Sequence, residues 1–272
     1  MSVIAISRGS LTAAERLAES LGKKLGSRVI DREGVLAAAE RYGIDKTGIS
    51  KENIAAESPP GFWEEYADAR HHYLTCFKAA LLDFAVQGPL VYHGNLAHVL
   101  LNDVPCVLRV RVIAPTEDRI AMLMEERGYT WERAAAEVKE MDTRRRRWIH
   151  FLYETDSEDP IFFDLVLNLH KMTIEDAVEQ ISAEIEKMPF KRTEESVKRL
   201  LDLRLAAVAE THLLQTPDTY GLRLGVKANA SAGEVTVIKD VALRGPASLD
   251  DTIRAVLAGV EGVQLVKVEV SG

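Results

Sequence analysis

Cysteine is scarce in this chain, and it lacks long apolar runs and any surplus of positive charge. Cys76 and Cys106 are the only cysteines in 272 residues, and nothing at metal-ligand spacing surrounds them. That pattern excludes a disulfide scaffold and fits buried, reduced thiols in a cytoplasmic protein. No stretch reaches the roughly 18 to 20 apolar residues that a membrane-spanning helix needs. The opening MSVIAISRG has no basic leader and no small-residue cleavage site, so secretion is not expected. Lys plus Arg total 34 against 42 Asp plus Glu, a formal net charge of −8. Sequence-independent nucleic-acid binding depends on cations that neutralise phosphates, so no nucleic-acid partner is expected for the whole molecule. The local exception is Arg144-Arg145-Arg146-Arg147.

What is present is enough apolar residue, 47% of the chain, to bury a sizeable core. Its length favours two domains over one. Ser2 to Ser7 (SVIAIS) is short, apolar and β-branched, as expected for a strand covered on both faces of a parallel sheet. Thr12 to Leu25 carries apolar residues at helical spacing, opens on a capping-box pattern (Thr12, Glu15) and stops at Gly26. Val29-Ile30 leads into Asp31, after which Gly34 to Tyr42 has helical character. Asp45 to Glu65 is polar, contains Pro59-Pro60-Gly61, and is expected to be a loop. Ala67 to Val86 is a long helix, Pro89 to His93 a second buried strand, and Leu96 to Leu101 a short helix. Cys106 to Ala114 alternates as a third strand, followed by helices over Thr116 to Arg127 and Thr130 to Trp148. Phe163 to Asn168 is a fourth strand and Ile174 to Met188 a closing helix. Strands alternating with helices predict an α/β fold with a parallel, doubly wound sheet.

Beyond Pro189 the pattern changes. A helix (Glu195 to Leu214), two strands (Tyr220 to Ala228, Glu234 to Leu243), a helix (Leu249 to Ala258) and a strand (Val263 to Val270) predict a small α+β domain in α-β-β-α-β order. The division expected is therefore 1–188 and 195–272.

Three ordered segments of the first part resemble the cytidylate kinase-like family, in the P-loop nucleoside-monophosphate kinase group. They are VIAISRG with the later VIDREGVLAAAE, VYHGNLAHVLL, and LRVRVIAPTEDRIAMLMEERG followed by MDTRRRRWIHFLY and FFDLVLNL. The tail, through GEVTV, ALRG and GVQLVKVEV, resembles a BON domain, a small binding module whose ligand here is unknown. The resemblance implies a P-loop kinase-like parallel sheet flanked by helices, nucleotide as partner, and ATP with magnesium as cofactors if the chain is active. It also implies transfer of phosphate from ATP to a nucleoside monophosphate. The alternative is a catalytically inactive binding or regulatory protein that uses its BON-like part for interaction.

The resemblance places the ATP loop at Arg8, Gly9, Ser10, Thr12 and Arg16. Leu11, Thr12, Ala13 and Ala14 stand where the family has Gly-Ser-Gly-Gly, and the loop has no lysine. Phosphate loops work by converging backbone N–H groups that glycine lets approach closely, aided by a cation and a hydroxyl for magnesium. This loop is therefore degenerate. It either still holds an anion or is simply a strand-to-helix connection. On the acceptor side the family match falls on Asp31, Arg32, Gly94 and Asn95, with Asn95 where the family carries an arginine. Asn can bond a base or sugar but cannot make the charged, bidentate contact that Arg makes with phosphate. Asp31 also fits a plain helix cap. The lid match falls on Arg119, Arg145 and Asp142, whose arginines would offset charge on a transferring phosphoryl group. The plainer reading of the arginine run is a solvated face paired with acids such as Glu137 and Glu140. No metal site is read, because His71, His72, His93 and His98 lack ligand spacing and suit capping and packing.

Overall fold

The computed structural model describes residues 2–8, 11–61, 63–95, 97–102, 104–153, 159–240 and 247–271. In chain order the elements are β1 (Val3–Arg8), α1 (Leu11–Leu25), β2 (Arg28–Asp31), α2 (Arg32–Ala39), α3 (Lys51–Ala56) and α4 (Ala67–Gln87). They continue with β3 (Leu90–Gly94), α5 (Ala97–Leu100), β4 (Val107–Ile113), α6 (Thr116–Arg127), α7 (Trp131–Tyr153), β5 (Leu165–Asn168) and α8 (Ile174–Ile185). The last are α9 (Glu194–Leu214), β6 (Gly225–Asn229), β7 (Glu234–Lys239), α10 (Ala247–Ala258) and β8 (Leu265–Val270). The chain packs as two compact units. The first comprises Met1–Gly34, Lys51–Trp63 and Gly88–Arg192, and the second Val35–Ser50, Glu64–Gln87 and Thr193–Gly272.

In the first unit five strands form one parallel sheet in the order β2-β3-β1-β4-β5. The register sets Ile4 opposite Val91, Ile6 opposite Val110, and Arg111 opposite Val166. The four strands expected from sequence therefore lie in one sheet. The fifth, β2, is a finding of the structure: four residues with only Val29 and Ile30 apolar are too few to display a period. β1 is central and buried on both faces, which is why it reads as a continuous apolar run. Ile4, Ile6, Val91, Leu108 and Val110 form one core with Ala14, Leu17 and Leu21 of α1 and Ala177 and Ile181 of α8. A Thr173 capping box, reciprocated by Asp176, starts α8. The polar stretch expected to be loop contains α3, a short helix whose one buried residue is Ile54. α7 runs on to Tyr153, through the whole arginine run and past the expected end at Trp148, because Trp148, Ile149, Phe151 and Leu152 continue its buried face.

In the second unit a three-stranded sheet has the order β6-β7-β8, with β6 and β7 antiparallel and β7 and β8 parallel. Its core joins Val235 and Val237 of β7 to Leu205, Ala209 and Leu213 of α9 and to Ile253 and Leu257 of α10. α4 packs along α9 in the same unit. The carboxylate of Asp83, on α4 and 3% exposed, accepts from the Tyr42 hydroxyl at 2.5 Å, from Arg204 Nε at 2.5 Å, and from Arg41. A buried carboxylate so completely bonded ties three segments together, and its loss strands a buried phenol. Asp83→Ala is expected to cost about 3 kcal/mol of stability, measured as a lower urea midpoint, with Asp83→Asn intermediate. Equal midpoints for wild type and Asp83→Ala would refute that role.

Candidate functional site

Ligands of open α/β sheets sit beyond the carboxyl ends of the strands, and the register decides which residues meet there. β2 pairs with β3 so that Asp31 lies opposite His93. Arg32 follows the first strand and Asn95 the second, so neighbouring strands deliver both to one place. Asp31 does not face outward freely. Its Oδ1 accepts from Gly34 N at 2.8 Å and caps α2. Gly94 is required by its own strand: a Cβ there would stand 2.3 Å from the Tyr92 hydroxyl, which itself donates to Asn95 O at 2.7 Å.

Arg32 is 2% exposed, and its guanidinium donates to the Ile54 carbonyl and to Glu33 Oε1 at 3.2 Å. Its Nε lies 3.3 Å from Glu57 Oε1, the atom that also accepts from Asn95 Nδ2 at 2.9 Å. Glu57 just past α3 is the one non-glycine residue with positive φ (50°) among the described residues. Such a backbone costs of order 1–3 kcal/mol and persists only where surrounding contacts enforce it. Here those contacts are Arg32 and Asn95. Because an ionised Glu57 only accepts, the Asn95 amide must turn its NH2 group toward it. Asn95 Oδ1 is then left buried and without a hydrogen-bond partner among the described residues.

The opposite wall comes from α6 and α7, which pack through Ile120, Leu123, Ala134 and Val138. α6 ends at Gly128, whose φ of 64° suits glycine and turns the chain back toward α7. Arg119 on α6 makes a bidentate pair with Asp142 on α7, at 2.9 Å and 2.5 Å. Arg127 pairs with Glu137 at 2.7 Å. Between the two walls lies a cavity of about 240 Å³, lined by Arg32, Asn95, Arg119 and Arg145 together with Glu57 and Asp142. In all, five arginines and four carboxylates line it. The site is thus cationic but largely self-paired.

Of the expected residues, Arg32, Asn95, Arg119, Asp142 and Arg145 come together here, with Asp31 and Gly94 directly behind. Arg144 joins them, while Arg146 lines neither this cavity nor its neighbour. Gly9 and Ser10 lie outside the described residues, as do the side chains of Arg8 and Thr12. Arg16 is exposed on α1, as is Glu15. Ala13 and Ala14, at two of the family's glycine positions, are fully buried in the core. Sequence reasoning missed Glu57, Arg127 and Met141. For Glu57 the one available signal was an acidic residue at a helix C-terminus, where the helix dipole disfavours it.

Behind Asn95, His98 is 2% exposed and stacks on Phe163 with centroids 4.8 Å apart. Burial, then the charges of Arg145, Arg109 and Arg111, push its pKa down to about 4. No group of three or more His, Cys, Asp or Glu among the described residues is arranged to hold a metal ion. Both cysteines are buried free thiols, and burial first of all pushes Cys76 up to about 12. No helix among the described residues is long and apolar enough to cross a membrane.

The site lies at the carboxyl ends of a five-stranded parallel sheet flanked by helices, an α/β architecture, and it faces two arginine-bearing helices. The profile of the cytidylate kinase-like family matches residues 3–171, more than half of the chain, and the chain belongs to that family. The solved structure of an uncharacterised protein from Eubacterium ventriosum ATCC 27560 is similar at 18% identity, covering 68% of this chain and 98% of its own, with a TM-score of 0.53. Shikimate kinase from Bacteroides thetaiotaomicron matches at 14% identity over 68% of this chain and 99% of its own, with a TM-score of 0.36. A gluconokinase from Sinorhizobium meliloti 1021 matches at 12% identity over 68% of this chain and 90% of its own, with a TM-score of 0.41. No curated protein matches the chain.

His98 generates a pH prediction. Its pKa is lower folded, about 4, than unfolded, 6.5, so below pH 6.5 the unfolded chain takes up a proton that the folded one refuses. Stability is therefore complete above pH 6.5 and falls as pH drops toward 4, by about 3 kcal/mol at the end of that window. His72, also lowered to about 4, adds a similar slope in the second unit. Urea unfolding at pH 7.5 and pH 5.0 is expected to show the loss, and His98→Leu to reduce it by about half. An unchanged slope in His98→Leu would contradict the assignment.

Proposed function

We propose that this chain binds a nucleoside monophosphate in the arginine-lined cavity, and that its loop after β1 supports phosphoryl transfer from ATP poorly or not at all. The observation that carries the binding reading is the convergence of Arg32, Asn95, Arg119 and Arg145 at the carboxyl ends of β2 and β3. A phosphate monoester is the ligand such a set of forked donors suits. In this reading Arg145 meets the phosphate, while Asn95 Oδ1 takes a donor from sugar or base. Asp142 and Glu57 act as positioning residues for Arg119, Arg32 and Asn95.

The ATP half of the site is the weaker fit. Its donor set would be Arg8, Arg16 and the hydroxyls of Ser10 and Thr12, with the backbone of Gly9 and no lysine. If ATP and magnesium bind, these residues hold them and the cofactor supplies the γ-phosphoryl group. The replacement of three glycines by Leu11, Ala13 and Ala14 speaks for a non-catalytic, nucleotide-binding kinase fold. The second unit, with its helix, hairpin, helix and strand order, is then the interaction part, of BON-like kind. One observation favours the enzyme reading: the Arg119–Asp142 pair keeps a lid arginine at the cavity wall, from which it could turn to a transferring phosphoryl group.

Calorimetric titration separates the readings. CMP is expected to bind with micromolar to submillimolar affinity, Arg145→Gln to weaken it at least tenfold, and MgATP to give no heat at millimolar concentration. No CMP binding at millimolar concentration sinks the proposal. Coupled turnover near 10 per second, an ordinary enzymatic rate of about that order, replaces it with the enzyme reading.

A further inference from the structure

A second cavity of about 330 Å³ adjoins the first and shares Glu57 and Arg144 with it. Its remaining lining is Ser58, Pro59, Pro60, Arg147 and His150. Arg144, Arg147 and His150 follow one another at three-residue spacing on α7, which places them along one helical face. The first cavity therefore continues sideways along α7, between that face and the Ser58-Pro59-Pro60 segment.

The two compartments differ in charge balance. In the first, carboxylates answer most of the guanidiniums. In the second, the one lining acid among the described residues is Glu57, and its Oε1 is already engaged by Asn95 and Arg32. Arg144 has a loose contact with Glu140 at 3.8 Å, and Arg147 has no carboxylate partner among the described residues. Arg144 and Arg147 thus face a space with little among the described residues to neutralise them. A nucleobase ordinarily takes an aromatic platform, and among the described residues no aromatic ring other than the imidazole of His150 lines this space. Size points the same way. Small-molecule pockets span about 300–1,000 Å³. Either compartment alone falls below that range or at its floor, and the two together fall well inside it.

We propose that the second cavity is an anion subsite, and that the ligand is a nucleotide carrying a second phosphate remote from the first, of the nucleoside bisphosphate class. The first phosphate meets Arg145 in the larger arginine cluster. The second reaches Arg144 and Arg147, with the Ser58 hydroxyl as a further donor. This rests on the nucleotide-binding reading given above and narrows its substrate class.

The test compares cytidine 5′-monophosphate with cytidine 3′,5′-bisphosphate by calorimetry on the full chain. The bisphosphate is expected to bind at least tenfold more tightly. Arg147→Gln is expected to bring the ratio of the two affinities to within threefold of one, and Ser58→Asp, which sets a carboxylate in the subsite, to abolish the advantage. Equal affinities in the wild type, or an advantage that survives both substitutions, overturn the subsite while leaving the monophosphate reading intact. An Arg147→Gln variant that weakens both ligands equally seats the base there instead and also overturns it. Absence of binding by either ligand removes the nucleotide reading itself, and the subsite with it.

Discussion

A guanidinium buried as deeply as that of Arg32 has to be met by carboxylates: Glu33 accepts from one of its terminal nitrogens, and Glu57 lies 3.3 Å from its Nε. The geometry of the candidate site follows from that requirement. To reach both Arg32 and Asn95 with one oxygen, Glu57 adopts a left-handed backbone immediately before Ser58 and the two prolines. That conformation anchors the end of α3 over the strand ends and orients the Asn95 amide. The same carboxylate forms the boundary between the two cavities. A single strained residue therefore sets the floor of one compartment and the partition to the next.

The facing wall obeys the same electrostatic rule with a different outcome. Arg119 is held by Asp142 in a planar, two-bond pair, and Arg127 by Glu137. An anion entering this cavity has to compete with carboxylates for these cations or use the arginines beyond them. Self-pairing keeps the walls ordered in the absence of ligand. It also limits affinity, because part of each new charge-assisted bond replaces one already present. A helix distributes the four consecutive arginines of α7 around its axis, so they do not all serve one compartment. Arg145 and Arg144 turn toward the first cavity and Arg147 toward the second.

Much of this was legible in the residues. The apolar runs around Ile4, Val91, Val110 and Val166 announce strands, and the sheet contains all four; the run around Ile4 is buried on both faces, while Val166 on edge strand β5 is exposed. The helices bearing Arg119 and Asp142 were equally plain, since Ile120, Leu123, Ala134 and Val138 mark their shared face. β2 was not legible, because four residues between a helix and a cap carry too little pattern. Nor was Glu57, whose importance comes from partners at positions 32 and 95 that only sheet register brings together. Helical periodicity marks α4, but it does not reveal that α4 packs along α9 or that Asp83 binds Arg204. Those are choices among distant partners, and local periodicity carries no information about them.

The most direct test of the account is a crystal structure grown with CMP. The account predicts its phosphate within hydrogen-bond distance of the Arg145 guanidinium, with a ligand donor on Asn95 Oδ1 and the Glu57 contacts to Arg32 and Asn95 intact. A nucleotide seated elsewhere on the chain, with this cavity holding only solvent, would contradict it.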